Sequence, residues 1–183
     1  MAKKAIIVFA EGFEEVEAVT PADILRRAGV QVELVGLDSL EVKGAHGVTF
    51  KMDRVLADKE QVDAIILPGG MPGAANLAAS EKLARLLKAQ KDSGGVVAAI
   101  CASPGLVLAR HGIIDGKRAT CYPGFEKHFG PGTRHVAEAV VKDGNVVTSQ
   151  GPGTAFAFGL ELARILTSHE KAEEVATGML YRP

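Results

Sequence analysis

An open, mostly parallel β-sheet covered by helices on both faces is the fold class this sequence predicts, and three observations predict it. Runs that are apolar but for Asp63, at residues 5–10, 62–67 and 96–100, read as strands buried on both sides. The segments between them carry apolar residues at helical spacing, the alternation of an α/β sheet. The chain has 183 residues, is 47% hydrophobic and holds no repeat or low-complexity linker, which predicts one core and one domain over residues 1–183.

Each element follows in order. Residues 5–10 form the first strand, and residues 14–28 follow as a helix that Gly29 stops, with Pro21 marking a kink or a second start. Residues 31–37 are the next strand. Residues 41–53 alternate apolar and polar around Gly44 and Gly47 and read as a small hairpin or edge excursion. The strand at 62–67 runs into Pro68-Gly69-Gly70-Met71-Pro72-Gly73, a loop whose glycines permit close backbone approach. Ser80 caps a helix that runs to about residue 91. The strand at 96–100 then ends on Cys101, and Ser103-Pro104-Gly105 opens a further helix through Leu106-Val107-Leu108-Ala109. Residues 118–121 form a shorter strand. Asp143-Gly144 joins residues 136–141 and 145–149 as an antiparallel hairpin. Residues 154–166 and 170–180 are the closing helices.

Composition excludes several classes of function. Lysine and arginine total 21 against 22 acidic residues, so the net charge is −1 and no basic field attracts nucleic acid. The apolar runs are too short to span a membrane. Two cysteines without metal-ligand spacing, and no signal peptide, point to a reducing, cytoplasmic setting rather than a disulfide scaffold. No metal set, phosphate-binding loop or dinucleotide fingerprint is present, so no cofactor is expected. Small neutral or polar substrates fit this balance best.

In an open parallel sheet, ligands sit beyond the carboxyl ends of the strands, where three loops fall: residues 11–17, 68–73 and 101–105. Cys101 stands at a strand-to-helix corner, where the free N–H groups and dipole of the following helix favour thiolate over thiol. A free cysteine is also often a small buried apolar residue, and the local sequence admits both roles. Glu11, Glu14 and Glu15 read as ordinary partners of a helix start. Glu17, a turn deeper, is placed to turn inward, where a desolvated carboxyl has a raised pKa and exchanges protons. A backbone N–H of the Gly69-Gly70 loop and the one following Cys101 are candidates to hold a developing oxyanion. None of the five histidines adjoins Cys101. His111 reads as a helix-end partner, and His46 as a loop residue or a contact across a subunit boundary. Cys121 reads as a strand residue.

The segments Glu11-Gly12-Phe13-Glu14-Glu15-Val16-Glu17, Leu67-Pro68-Gly69-Gly70, Ala98-Ala99-Ile100-Cys101-Ala102 and Ser149-Gln150-Gly151-Pro152-Gly153-Thr154 together resemble the ThiJ/PfpI superfamily. The branch they resemble holds the parkinsonism-associated protein deglycase and the bacterial YajL. The resemblance runs from Lys4 to Leu166 with the motifs in family order. It implies a flavodoxin-like three-layer sandwich with a nucleophile elbow, commonly a homodimer. It implies Cys101 as nucleophile, a protonated Glu17 beside it, and Gly70 and Ala102 as oxyanion donors, with Gly69, Glu14 and Tyr122 around the pocket. Tyr122 stands where the better-known relative has histidine. Ala102 stands where the protease branch has histidine, which weakens a peptidase reading.

The activity expected is therefore that of a cofactor-independent cysteine enzyme acting on small reactive carbonyls or their glycated adducts, of deglycase or glutathione-independent glyoxalase type. The alternative is a redox-responsive chaperone or oxidative-stress sensor working through oxidation of Cys101. A role in thiazole-phosphate biosynthesis finds no phosphate cradle in the sequence.

Overall fold

A computed structural model describes residues 2–182. The chain lays down β1 (Lys4–Phe9), α1 (Glu15–Arg27), β2 (Gln31–Gly36), β3 (Glu41–Lys43), β4 (Thr49–Lys51), β5 (Arg54–Val55), β6 (Ala64–Leu67), α2 (Gly73–Ala79), α3 (Glu81–Asp92) and β7 (Val96–Ile100). A wide-turned helix at Pro104–Ala109 precedes β8 (Arg118–Ala119), β9 (Arg134–His135), β10 (Val140–Asp143), β11 (Val146–Ser149), α4 (Ala155–Leu166) and α5 (His169–Gly178).

The spine is a seven-stranded sheet in the order β10-β11-β7-β6-β1-β2-β5. Its pairings are parallel except at the β10–β11 edge. Alternation along the strands sends side chains to two cores, as the period of two requires. Ala5, Ile7 and Phe9, with Ile66, Ala98 and Ile100, face α1 and α4. Ile6, Val8, Ile65, Leu67, Val97 and Ala99 face α2, α3 and the Pro104–Ala109 helix. Burial on both faces explains why these strands read as unbroken apolar runs, and it gives the flavodoxin-like three-layer sandwich the sequence predicts. The chain builds outward from β1 to β2, then returns to add β6 and β7 on the other side of β1. That reversal opens a crevice at the carboxyl ends of β1 and β6, the usual place for a ligand in such a sheet. Among the described residues no helix is long and apolar enough to cross a membrane.

Four local expectations need correction. Pro21 neither splits nor restarts the first helix, which runs unbroken over Glu15–Arg27. The ring removes one N–H but lies buried against α4, where Gly159 makes the approach possible: a Cβ there would lie 3.2 Å from Pro21 Cα. The strand expected at 118–121 ends at Ala119, because the Thr120 N–H turns to Thr148 Oγ1 (2.9 Å). The first arm of the hairpin begins at Val140 rather than at residue 136, since Arg134 and His135 pair with β8 instead. Helix α2 is absent from the sequence reading: it is a seven-residue, alanine-rich segment with no side-chain cap, formed by packing on the Pro104–Ala109 helix.

Candidate active site

Cys101 is the first residue beyond β7, and its backbone is left-handed, with φ 66°. Such a conformation is disfavoured for a residue with a Cβ, by roughly 1–2 kcal/mol. It is held by neighbours on both sides: the Cys101 N–H donates to the Ser149 carbonyl (3.0 Å) and the Tyr122 N–H donates to the Cys101 carbonyl (2.8 Å). The sharp turn lifts the thiol out of the strand, half-buried in the crevice. Ser103, fully buried and given no role by the sequence reading, donates from Oγ to the Pro68 carbonyl (2.6 Å). It clamps the Cys101 corner to the Gly69-Gly70 loop, and a polar residue three positions past a buried strand was its only signal.

Glu17 turns inward as expected and is fully buried. Its position is set by the start of α1: Glu14 is the N-cap, and its Oε2 accepts from the Glu17 N–H (2.7 Å). Glu14 thus fixes the helix that carries Glu17 instead of facing the thiol. The Gly69 N–H donates to Glu17 Oε2 (2.8 Å). Glu17 Oε1 is buried without a hydrogen-bond partner. Gly69 is wedged between the two reacting groups: a Cβ on it would lie 2.6 Å from Cys101 Cβ and 2.8 Å from Glu17 Oε2. Gly70 has φ 86° and would place a Cβ 2.4 Å from the Glu14 nitrogen, so position and conformation both demand glycine. The N–H groups of Gly70 and Ala102 act on the Cys101 sulfur in the direction that favours thiolate. The two residues predicted as oxyanion donors are therefore brought to the nucleophile.

Electrostatics correct one expectation. Burial pushes the Cys101 thiol up to about 12, helped by the Glu17 carboxylate and opposed by the Gly70 and Ala102 N–H groups. The helix-end donors act in the predicted direction but are outweighed by desolvation. Burial also pushes Glu17 up to about 7, against the Gly69 N–H and the thiol. One proton is at issue between an acid and a thiol that both border Gly69. When Glu17 holds it, the carboxylate charge that opposes a thiolate is gone.

Tyr122 lies at the rim, 47% exposed. The remaining acids serve the fold. Glu15 accepts from the backbone of His46 (2.8 Å) and from its Nδ1 (2.9 Å), bracing α1 against the β3–β4 turn. Desolvation raises the Glu15 carboxyl, but these bonds hold it below its ordinary value. Glu11 Oε2 accepts from the Lys43 N–H (3.1 Å). Glu14, Glu15 and His46 bring metal-type ligand atoms within 4.8 Å of one another, but these carboxylates already serve the helix cap and the turn. His111 Nε2 contacts the Ala78 carbonyl (3.2 Å) near the end of its helix. Cys121, expected in a strand, lies two residues beyond the end of β8 and is 1% exposed.

A thiol beside a protonatable acid and two N–H donors is equipped for attack on a carbonyl carbon. Known proteins share this arrangement's sequence and fold. The chain is 42% identical over 184 residues to Protein dj-1beta of Drosophila melanogaster, covering 98% of both. It is 40% identical over 177 residues to the glutathione-independent glyoxalase DJR-1.2 of Caenorhabditis elegans, covering 94% of both. The solved structure of Toxoplasma gondii DJ-1 in its oxidized form matches with a TM-score of 0.95 at 38% identity, over 100% of each chain. A family model described as DJ-1/PfpI family matches residues 3–165, and the chain belongs to that family.

Proposed function

We propose that this protein converts small reactive carbonyls, or their early adducts with amines and thiols, to hydroxy acids without a cofactor. The observation that carries this reading is the placing of Cys101 beside a buried Glu17 whose pKa is pushed up to about 7. The C. elegans relative named as a glutathione-independent glyoxalase supports it.

With methylglyoxal, the Cys101 proton passes to Glu17 and the sulfur attacks the aldehyde carbon, forming a C–S bond. The oxygen charge that develops faces the Gly70 and Ala102 N–H groups and takes up a proton to give a hemithioacetal. Glu17, having given its proton to that oxygen, removes the proton from the former aldehyde carbon and returns it to the neighbouring carbon, while the hydroxyl proton passes to the neighbouring oxygen through the enediol. The product is a thioester of the hydroxy acid, reached by internal redox with no outside oxidant. Water adds to the thioester, the C–S bond breaks, and lactate leaves as the thiol is restored.

A lactate assay with methylglyoxal and no added glutathione tests this. Wild-type protein should form lactate and Cys101→Ser should fall to background; equal rates overturn the reading. A redox-sensing role finds its support in the oxidized form recorded for the Toxoplasma relative. It predicts peroxide modification of Cys101 without carbonyl turnover. The proposed assembly is a homodimer through Val16 and Val19 of α1 and the adjacent Val48, which are 47%, 40% and 50% exposed. Sedimentation at micromolar concentration tests it, a single-chain mass being the contrary result.

A further inference from the structure

Two features of the crevice mouth have no part in the chemistry above. One is Gly151, whose φ of 171° is fully extended and open to any residue. Conformation does not require glycine there. Space there is tight: a Cβ on Gly151 would lie 3.2 Å from Tyr122 Cδ2 and 4.0 Å from Glu17 Oε1. The bare Cα thus faces the gap between the second feature, the exposed Tyr122 ring, and the unpartnered oxygen of the proton-carrying acid.

Both walls of that gap are fixed to the frame. The Gly151 carbonyl accepts from the Thr154 N–H (2.9 Å), and its N–H donates to Thr154 Oγ1 (3.1 Å), which also contacts Ser149 Oγ (2.7 Å). Opposite, the Tyr122 backbone is tied to the Cys101 carbonyl, and its own carbonyl accepts from the Phe125 N–H (3.1 Å). Phe125 presses on the helix behind Cys101, where a Cβ on Gly105 would lie 2.6 Å from the Phe125 carbonyl oxygen. The loop under the ring therefore has little room to move. The ring meets Phe125 edge-on at 6.4 Å, and its side chain can turn about staggered rotamers while the backbone beneath it is tied down.

We propose that Tyr122 and Gly151 form a steric gate that sets which carbonyl compounds reach Cys101 and Glu17. The gate passes carbonyls with a small substituent and turns away those whose second substituent is ring-sized. This rests on the reading of Cys101 and Glu17 as the reacting pair. The phenol is a specificity-determining group here, acting through the bulk of its ring.

The test measures alkylation of Cys101 by iodoacetamide and by the bulkier N-phenylmaleimide, followed by peptide mapping, so that access to the sulfur is read without turnover. Tyr122→Ala should raise the bulky-to-small rate ratio about tenfold, the lower range of what a single small group discriminates in a closed pocket. Gly151→Ala should lower the ratio, and Tyr122→Phe, which keeps the ring, should leave it near wild type. The double variant should stay close to Tyr122→Ala, because the added methyl narrows the gap only while the ring stands opposite it. A Tyr122→Ala ratio within about twofold of wild type overturns the gate, as does a double variant whose effects simply add. Protein inert to methylglyoxal but with the predicted alkylation pattern removes the carbonyl substrate and keeps the gate. Active protein with a flat pattern keeps the substrate and removes the gate.

Discussion

Cys101 and Cys121 are the two thiols of this chain, and burial pushes each up to about 12. Their surroundings differ in every other respect. Cys101 is half-buried, sits on a left-handed backbone, receives two backbone N–H groups and lies beside an acid able to take its proton. Cys121 is buried beyond β8, and the nearby Glu126 carboxylate also disfavours its thiolate. Reactivity here is thus a matter of what the thiol can hand its proton to, and a raised pKa by itself separates neither cysteine from the other.

Replacing each thiol breaks or sharpens that contrast most strongly. Cys101→Ser should lower kcat/KM for methylglyoxal by about a thousandfold or more, and Cys121→Ser should leave it within about twofold. Steady-state lactate formation decides this, and comparable losses in both variants erase the distinction.

Glu17→Gln, nearly isosteric but unable to exchange a proton, should lower kcat by about 10²–10⁴-fold. In the wild type, kcat/KM should rise through pH about 7, where the Cys101–Glu17 pair passes from neutral to singly charged, and that limb should vanish in Glu17→Gln. Stability should move the other way. Burial raises the Glu17 carboxyl from 4.5 to about 7, so the native state binds a proton there that the unfolded chain has released. The stability held below pH 4.5 is lost as pH rises to about 7. At pH 8 Glu17→Gln should therefore be more stable than wild type by up to about 3 kcal/mol. Denaturant unfolding at pH 8 checks this, and a less stable variant contradicts it.

Mild peroxide should modify Cys101 at least about tenfold faster than Cys121, as thiolate access dictates. Peptide mapping that found Cys121 modified first would reverse the assignment. The smallest effect concerns the rim: Tyr122→Phe keeps the ring and should leave kcat/KM for methylglyoxal within about twofold of wild type. A loss as deep as that of Cys101→Ser would make the phenol essential to the chemistry.

The sequence made the central strands and the three site loops legible because burial on both faces leaves unbroken apolar runs, and their carboxyl ends are where ligands must lie. Cys101, Glu17, Gly69, Gly70 and Ala102 were found that way and by family motif. What escaped depended on partners distant in the chain. Ser103 matters through the Pro68 carbonyl, α2 forms only by packing, and Pro21 is tolerated because Gly159 lies across from it. The direction of the Cys101 shift escaped as well. Helix-end donors can be read locally, whereas desolvation is set by everything folded around the thiol.

The left-handed turn at Cys101 also constrains how this chain can vary. Backbone energy alone would favour glycine there, the one residue type that enters this region without a Cβ penalty. A lineage that no longer needed the thiol would therefore drift toward glycine at this corner more readily than toward serine or alanine, gaining stability as it lost the nucleophile. Cysteine at this corner therefore carries a backbone cost of roughly 1–2 kcal/mol that glycine would not.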